Sequence, residues 1–455
     1  MRLIARYAQE QESTFDVITV FDKTIRRETI PKASPSLRTL SGEHPAAAWF
    51  ERKMYDDFGI RITDAADRRP LVHHEHFPSG VHPLRQAFRA THLSQERYRP
   101  YPYETVQGDG VFQVGVGPIH AGIIEPGHFH FSQAGEAMLH LEVRHFYKHR
   151  GIEKMLEGKS PHTIRPIIER ISGNETIAYQ IAWRDLLLQA SGQTLPEGLQ
   201  KRHAFLLELE RIIHHLTDVG FIPNDAGFGA ALAWGSGLAE QARRMMRDLT
   251  GHRFGFGAIS CTTDPFDSAS MRRWIASLRE EFGRFREWIS GIPSLWDRLD
   301  TTGTLSAAQA RRYDTVGVMA RASGIALDRR NTPFYAAHGF EMALQSRGDV
   351  GARFTLRLQE IDTSLIMMEH LMDDDTTTIE LDTLQDGEYM SYCESSLGEL
   401  FMSVTIQSGR IKRFFVRDPS FINWQTLPLL MERDIIADFP LINKSCDLSY
   451  AGNDL

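Results

Sequence analysis

The strongest constraint on this chain is a block of helical pattern between about residues 160 and 375. Five segments there repeat apolar residues at the i, i+3, i+4 spacing that places them on one face of a helix. They read IAYQIAWRDLLLQASG, AFLLELERIIHHLTDVG, ALAWGSGLAEQARRMMRDLTG, SMRRWIASLREEFGRFREWI and FTLRLQEIDTSLIMMEHLM. Helices with apolar faces bury them against one another, so the block predicts a large helical bundle.

Strands are predicted on both sides of the bundle. TFDVITVF, near the N-terminus, is rich in β-branched and aromatic residues, and apolar residues alternate in VFQVGVG and EAMLHLEV, around a glycine-rich turn. After the bundle, ELFMSVTIQSGRIKRFFV predicts a hairpin with its turn at Ser408-Gly409. Near the N-terminus, HPAAAWFERKMYDDFGI predicts a helix that stops at Gly59.

These patterns predict an α+β fold in two parts. A small α+β domain is expected over residues 1–100, ending in an ordered linker rich in proline, arginine and tyrosine. A large helical-bundle domain with flanking antiparallel strands is expected over residues 101–455.

Composition excludes several classes of function. The net charge of −8 over 455 residues offers no basic face for nucleic acid. The sequence contains no uninterrupted run of 18 apolar residues, so it predicts no transmembrane helix. The three scattered cysteines (Cys261, Cys393 and Cys446) give no CxxC pair and no disulfide framework, and they are too few for a nickel–iron site or an ordinary iron–sulfur cluster. A cytoplasmic, thiol-reduced setting is expected.

Two motifs carry polar residues at turns. GPIHAGIIEPGHFHF (117–131) predicts a tight turn between strands, where Glu125 would relay protons if it were buried, although the residues alone favour a solvated turn. ERISGNETIAY (169–179) lies at the start of a helical pattern, so Ser172 and Asn174 could simply cap that helix.

Two further groups of polar residues have ordinary explanations when taken alone. Glu208, Arg211 and His215 lie on one helix face, where a solvated polar stripe is the usual interpretation. VHHEH (72–76) has donors for a metal but neither helical nor strand spacing, which favours a loop that happens to contain histidines.

In order along the chain, these motifs resemble the large subunit of membrane-bound nickel–iron hydrogenases of the formate hydrogenlyase type. They also resemble the paralogous 49-kDa-type subunit of respiratory complex I, preceded by a 30-kDa-like domain. The resemblance covers nearly the whole chain and rests on HPAAAWFERKMYDDFGI, GPIHAGIIEPGHFHF, HRGIEK (149–154), ELERIIHHL (208–216), VRDPSFINW (416–424) and the tail DLSYAGND.

The resemblance implies a metal site that this chain has lost. In these hydrogenases the nickel–iron centre is coordinated by two CxxC pairs. The aligned positions in this chain are Ser172 and Glu175 for the first pair, and Ser449 and Gly452 for the second. The flanking residues survive, including Asp447 before the second pair. We therefore predict no bound metal and no hydrogenase activity by the relatives' mechanism.

The quinone site of complex I is altered as well. By the same alignment, its histidine position falls on Ile124 and its tyrosine position on Gly173, so both donors are absent. Glu125, in contrast, matches the hydrogenase glutamate that carries protons to the metal. We predict a rebuilt cleft in which Glu125, Glu175 and His128 transfer protons, with supporting roles for seven further residues: His120, Arg150, Arg170, Glu208, Arg211, Arg417 and Asp447.

The resemblance also implies a context for the chain. It predicts a peripheral subunit on the cytoplasmic side of a membrane complex that couples redox or conformational change to ion translocation. Its expected partners are a small subunit with a 4Fe-4S cluster, antiporter-like membrane subunits, and a quinone or another electron acceptor. The alternative is a redox-silent scaffold between the iron–sulfur subunit and the membrane arm. The C-terminal tail is expected to enter the core as an apolar strand beside Ser172, burying Leu441, Ile442 and Leu448.

Overall fold

The computed structural model describes residues 1–89, 96–120, 124–262, 267–373 and 375–455. The N-terminal part combines a sheet, one helix and a two-stranded ladder. The antiparallel sheet has the order β1-β2-β3, and β4 pairs in parallel with β5. The elements are β1 (Leu3–Glu10), β2 (Thr14–Phe21), β3 (Ile25–Pro31), β4 (Ser36–Arg38), α1 (Ala47–Phe58) and β5 (Arg61–Thr63).

The predicted helix and strand of this part are confirmed. TFDVITVF is β2, and α1 ends at Gly59, whose φ of 75° allows its N–H to reach the carbonyl of Tyr55. A small apolar cluster, with Phe15 and Phe58 at its centre, lies between the sheet and α1. The other face of the sheet joins the main core, where the rings of Tyr7 and Phe415 stack 4.3 Å apart.

A second antiparallel sheet, with the order β6-β7-β8, precedes the bundle. The glycine-rich turn connects β6 to β7, and residues 121–123 of that turn lie outside the described ranges. Part of the predicted linker, residues 90–95, lies outside them as well. The strands are β6 (Val111–Val116), β7 (His128–Ala134) and β8 (Ala137–Arg144).

The helical block forms the predicted bundle. Its five long helices match the five segments with apolar periodicity, and α5 packs most extensively against α6 and α12. The helices are α2 (Ile152–Leu156), α3 (Arg165–Ile168), α4 (Thr176–Ser191), α5 (Glu197–Asp225), α6 (Gly229–Thr250), α7 (Ser268–Ser290), α8 (Pro293–Leu299), α9 (Ala307–Arg312), α10 (Gly317–Ala322), α11 (Pro333–Ala337) and α12 (Val350–His370). None of the described helices is both long and apolar enough to cross a membrane.

A third antiparallel sheet, with the order β9-β10-β11, follows the bundle. The predicted hairpin is β10 and β11, and both turn residues, Ser408 and Gly409, have positive φ, as a two-residue hairpin turn requires. The strands are β9 (Gly387–Glu394), β10 (Glu399–Gln407) and β11 (Arg410–Arg417).

The prediction of a strand for the tail is wrong, because the chain ends in short helices. They are α13 (Pro419–Asn423), α14 (Leu427–Leu430), α15 (Phe439–Cys446) and α16 (Tyr450–Asp454). Pro440 lies in the first turn of α15, where it needs no hydrogen-bonded N–H, and the left-handed Asp447 separates α15 from α16. The predicted burial of Leu441, Ile442 and Leu448 is confirmed.

Candidate functional site

The two segments aligned with metal ligands meet in the core. The hydroxyls of Ser172 and Ser449 lie 3.0 Å apart, and both residues are buried. Ser449 is also the N-cap of α16, because its Oγ accepts a hydrogen bond of 2.9 Å from the N–H of Gly452. Three of the four positions are therefore joined by direct hydrogen bonds.

The fourth position, Glu175, is a fully buried carboxyl at the start of α4. Its polar neighbours are Asp418 and Ser395, but neither makes a well-oriented hydrogen bond to it, and both Glu175 oxygens lack a partner among the described residues. Burial, followed by the adjacent charge of Asp418, raises the pKa of Glu175 well above its usual value of 4.5. Burial and the neighbouring carboxylate thus both disfavour the charged form of this carboxyl.

Asp418 completes this group, although the sequence patterns did not single it out. Its carboxylate accepts hydrogen bonds of 2.8 Å from the hydroxyl of Tyr179 and from the N–H of Ser420. A Cβ built on Gly452 would lie 2.0 Å from Asp418 Oδ2. Asp418 therefore fills the space into which a side chain at Gly452 would project. The available signal was the Asp-Pro step in VRDPSFINW, which is typical of an N-cap followed by proline.

Ser172 and Asn174 do not cap α4 with their side chains. Glu210, from α5, accepts hydrogen bonds from the N–H groups of Ile177 (2.7 Å) and Ala178 (3.2 Å) instead. Burial raises the pKa of Glu210 to about 8, so this carboxyl also favours the protonated form at neutral pH. Its proximity adds to the raised pKa of Glu175.

The four positions do not fit a nickel–iron centre. They offer two hydroxyls, one carboxyl and a glycine where the metal needs thiolates. The nearest thiol along the chain, Cys446, donates to the carbonyl of Ile442 within α15. Among the described residues, no group of three or more His, Cys, Asp or Glu side chains could hold a metal ion.

Glu125 has different partners from Glu175, contrary to the expectation that the two carboxyls share one cleft. Glu125 forms an ion pair with Lys148 and accepts a hydrogen bond of 2.9 Å from the N–H of Ala451 in α16. Its side chain is about one-third exposed. The second carboxyl beside Glu175 is Asp418 instead.

Two of the three histidines of the glycine-rich motif, His120 and His128, contact backbone carbonyls. His120 Nε2 lies 2.8 Å from the carbonyl of Gly127, and His128 Nδ1 lies 3.0 Å from the carbonyl of Gly117. Both rings therefore hold the two ends of the turn together.

The three arginines expected near the pocket are engaged elsewhere. Arg150 donates to the carbonyls of Arg170 (3.0 Å), Ile171 (2.7 Å) and Ala451 (2.7 Å), so it clamps the segment before Ser172 to α16. Arg170 pairs with Glu169, and Arg417 pairs with Glu399. None of the three forms an ion pair with Glu175.

The charged stripe of α5 is buried, so the interpretation as a solvated face is wrong. Arg211 donates to Glu208 and to the carbonyls of residues 394 and 395. His215 Nε2 lies 2.8 Å from Glu360 of α12, and burial lowers the pKa of His215 to about 4. Charged partners from α12 and neighbouring loops replace water along this face.

A cavity of about 400 Å³ opens beside the two joined segments, a size that suits a small organic ligand. Ile124 and Gly173, the positions aligned with the two quinone donors, both line it. Asp447 lines this cavity too. Burial and, after it, the charge of Asp447 raise the pKa of the neighbouring Asp218. Asp218 also accepts a hydrogen bond of 2.8 Å from Nε of Arg357.

Comparisons with known proteins agree with the fold and with the collinear motifs. The family model described as the 49 Kd subunit of respiratory-chain NADH dehydrogenase matches residues 225–380 and 368–454. The model of the 30 Kd subunit matches residues 2–93. The boundary near residue 100 remains a prediction.

Similar proteins come from two kinds of enzyme. Formate hydrogenlyase subunit 5 of Escherichia coli (strain K12) is 28% identical, over 95% of this chain and 79% of that protein. The carbon monoxide-induced hydrogenase of Rhodospirillum rubrum is 27% identical, over 74% of this chain and 97% of that protein. An NADH-quinone oxidoreductase component of Desulfotalea psychrophila is 26% identical, over 75% of this chain and 96% of that protein.

A solved structure shares the fold. A chain of the membrane-bound sulfane sulfur reductase, an archaeal respiratory membrane complex, superposes with a TM-score of 0.70 at 21% identity. The superposition covers 76% of this chain and 99% of that one.

Proposed function

This chain belongs to the family of the 49-kDa subunit of respiratory-chain NADH dehydrogenase, and on that premise we propose that it is a peripheral subunit of a membrane-bound, complex I-like oxidoreductase complex. It would lie on the cytoplasmic side and couple redox or conformational change to ion translocation, without a nickel–iron site. The similarity to components of formate hydrogenlyase and NADH-quinone oxidoreductase supports this context.

The observation that carries the coupling role is the state of Glu175. A carboxyl that is fully buried, lacks well-oriented partners and lies beside a second carboxyl resists ionisation. Removing its proton would create a charge that the surroundings do not neutralise, which is how a local proton transfer biases a larger conformational change. Glu125, which accepts a hydrogen bond from the N–H of Ala451 in the tail, is the second proton-transfer residue of the proposal.

The expected iron–sulfur partner has a surface on which to dock. Ile119 is 92% exposed at the glycine-rich turn, while Ile124 and Phe254 expose 43% and 47% at the cavity. Large apolar side chains exposed close to a functional cleft are typical of a protein interface. In this proposal the partner's 4Fe-4S cluster lies next to the cleft, and antiporter-like subunits form the membrane arm.

The alternative, a redox-silent scaffold, is favoured by a different observation. The hydroxyls of Ser172 and Ser449 hydrogen-bond to each other, and Arg150 donates to backbone carbonyls of both segments. The positions aligned with the metal ligands therefore join two parts of the structure. Loss of the cluster cysteines from the expected small subunit would support this alternative.

Replacement of Glu175 by Gln separates the two functions. The amide keeps the shape but cannot carry the proton, so we expect an assembled complex without ion transport in inverted membrane vesicles. Glu169→Gln is the matched control, because Glu169 is also buried in the same segment but has a partner on each oxygen. Glu125→Gln should also abolish transport. If both Glu175→Gln and Glu125→Gln transport ions as wild type does, the scaffold alternative is correct.

A further inference from the structure

Two cations on the wall of the 400 Å³ cavity have no carboxylate within ion-pair distance among the described residues. Arg243, on α6, donates to the hydroxyl of Thr217 at 2.9 Å. Lys444, on α15, has its ammonium 4.9 Å from the ring centroid of Phe221. Both side chains are half-buried and line the cavity, so their remaining N–H groups can reach a ligand there.

Two of the four acidic residues that line the cavity are satisfied by the protein itself. Glu210 caps the start of α4 and favours its uncharged form, and Asp218 is bound to Arg357. The third cation of the wall, Arg253, pairs with Glu240. Two further carboxylates, Asp225 and Asp447, also line the cavity, and the charge of Lys444 favours the ionised form of Asp225. Arg243 and Lys444 are nevertheless the two cations of the wall that form no ion pair with a described residue.

The remainder of the wall combines polar side chains with an apolar patch. Ile213, Phe221, Met246 and Phe254 line the same cavity. Water alone would leave this apolar surface hydrated, whereas a ligand with an apolar body would remove it from water, which is favourable.

We propose that this cavity binds a small organic anion, whose carboxylate or other oxyanion head lies between Arg243 and Lys444 and whose apolar body lies against Phe221, Met246 and Phe254. Arginine and lysine both bind such heads through charge-assisted hydrogen bonds. The ligand's role in coupling rests on the proposed function, whereas its binding does not.

Calorimetric titration of the purified complex with benzoate, benzamide and inorganic phosphate tests the assignment. Benzoate should bind at least about tenfold more tightly than benzamide, which has the same shape without the charge, and than phosphate, which lacks the apolar body. Arg243→Gln and Lys444→Gln should each weaken benzoate binding about tenfold, a loss of one charge-assisted hydrogen bond.

Arg244→Gln is the control, because Arg244 neighbours Arg243 on α6 but pairs with Glu240 and lies outside the cavity lining. It should bind benzoate as wild type does, and unchanged melting temperatures should show that all variants are folded. Equal affinity for benzamide, equal affinity for phosphate, or no effect of either cavity variant would overturn the proposal. If Glu175→Gln uncouples the complex while benzoate fails to bind, the proposed function stands and this inference falls.

Discussion

At Gly452 the absence of a side chain lets the carboxylate of Asp418 lie against the tail. Asp418 is fixed there by Tyr179 and Ser420, so it cannot move aside freely. An alanine Cβ at this position would lie 2.0 Å from Asp418 Oδ2. We expect Gly452→Ala to lower the free energy of unfolding by about 1–3 kcal/mol, as overpacking usually does.

Gly173→Ala is the matched control for that measurement. A Cβ on Gly173 would meet no atom within 4 Å, so the change should be neutral or stabilise the fold by up to about 1 kcal/mol. Urea unfolding of both variants decides the question. Equal stabilities of the two variants would contradict the close contact between Gly452 and Asp418.

Glu175 should also make stability depend on pH. Its pKa is raised in the folded state, so between its unfolded value of about 4.5 and the folded value the native protein binds more protons than the unfolded chain. Stability is therefore lost as the pH rises through that window, by up to about 1.4 kcal/mol per pH unit. Glu175→Gln should flatten the dependence of the melting temperature on pH, measured from pH 5 to pH 8, and a slope equal to that of the wild type would contradict the raised pKa of Glu175.

At the scale of elements, α5 and α12 are joined by charges as well as by apolar packing. Glu360 accepts hydrogen bonds from Arg321 at 2.6 and 3.0 Å and lies 2.8 Å from His215. Breaking a buried ion pair usually costs about 3–5 kcal/mol, so Glu360→Gln should destabilise the protein by that order at neutral pH.

The Glu360 effect has its own pH signature. The arginines hold the folded-state pKa of Glu360 well below 4.5, so its contribution to stability is complete above that pH and is lost as the pH falls toward the folded value. Unfolding measured at pH 7 and pH 3.5 should show a smaller difference between wild type and variant at the lower pH. A constant difference would contradict this account.

The tail shows which part of an element could be predicted from the sequence. The apolar residues Leu441, Ile442 and Leu448 indicated burial correctly, but not the local conformation, because a short apolar run suits a strand or a helix equally well. The prediction that the polar stripe of α5 is solvated was wrong for another reason. Its charged partners on α12 lie more than a hundred residues away, so no local pattern reveals that the face is buried.

Deletion of residues 446–455 tests how the last element contributes. Leu448, Tyr450 and Leu455 are buried, and the Asp454 carboxylate accepts hydrogen bonds of 2.9 Å from the N–H groups of Phe146 and Lys148. Each buried apolar side chain contributes about 1.5–3 kcal/mol, so the deletion should cost ~5 kcal/mol or more. A truncated chain that melts at the wild-type temperature would show that the tail is not part of the core.

For the whole molecule, the helical block, the hairpin and the N-terminal helix were predictable because each has its own periodicity and its own turn or cap. The site was predictable only in part. The resemblance predicted that Ser172 lies beside the tail that contains Ser449 and that Glu175 belongs to the cleft. Asp418, Glu210 and Lys148 were not predicted there, because only tertiary packing brings them to the site. The cavity between α5, α6 and α15 has no sequence signature, because its wall is assembled from separate segments.

We propose that in this chain the carboxyl group of Glu175, and no metal, occupies the position aligned with the nickel–iron centre. Elemental analysis of the purified complex, with a hydrogen-evolution assay on the same sample, tests it most directly. Because a nickel–iron centre needs soft thiolate ligands that these positions lack, we predict no stoichiometric nickel and no hydrogen evolution. About one nickel per chain, or hydrogen evolution that depends on this subunit, would contradict the assignment of Ser172, Glu175, Ser449 and Gly452.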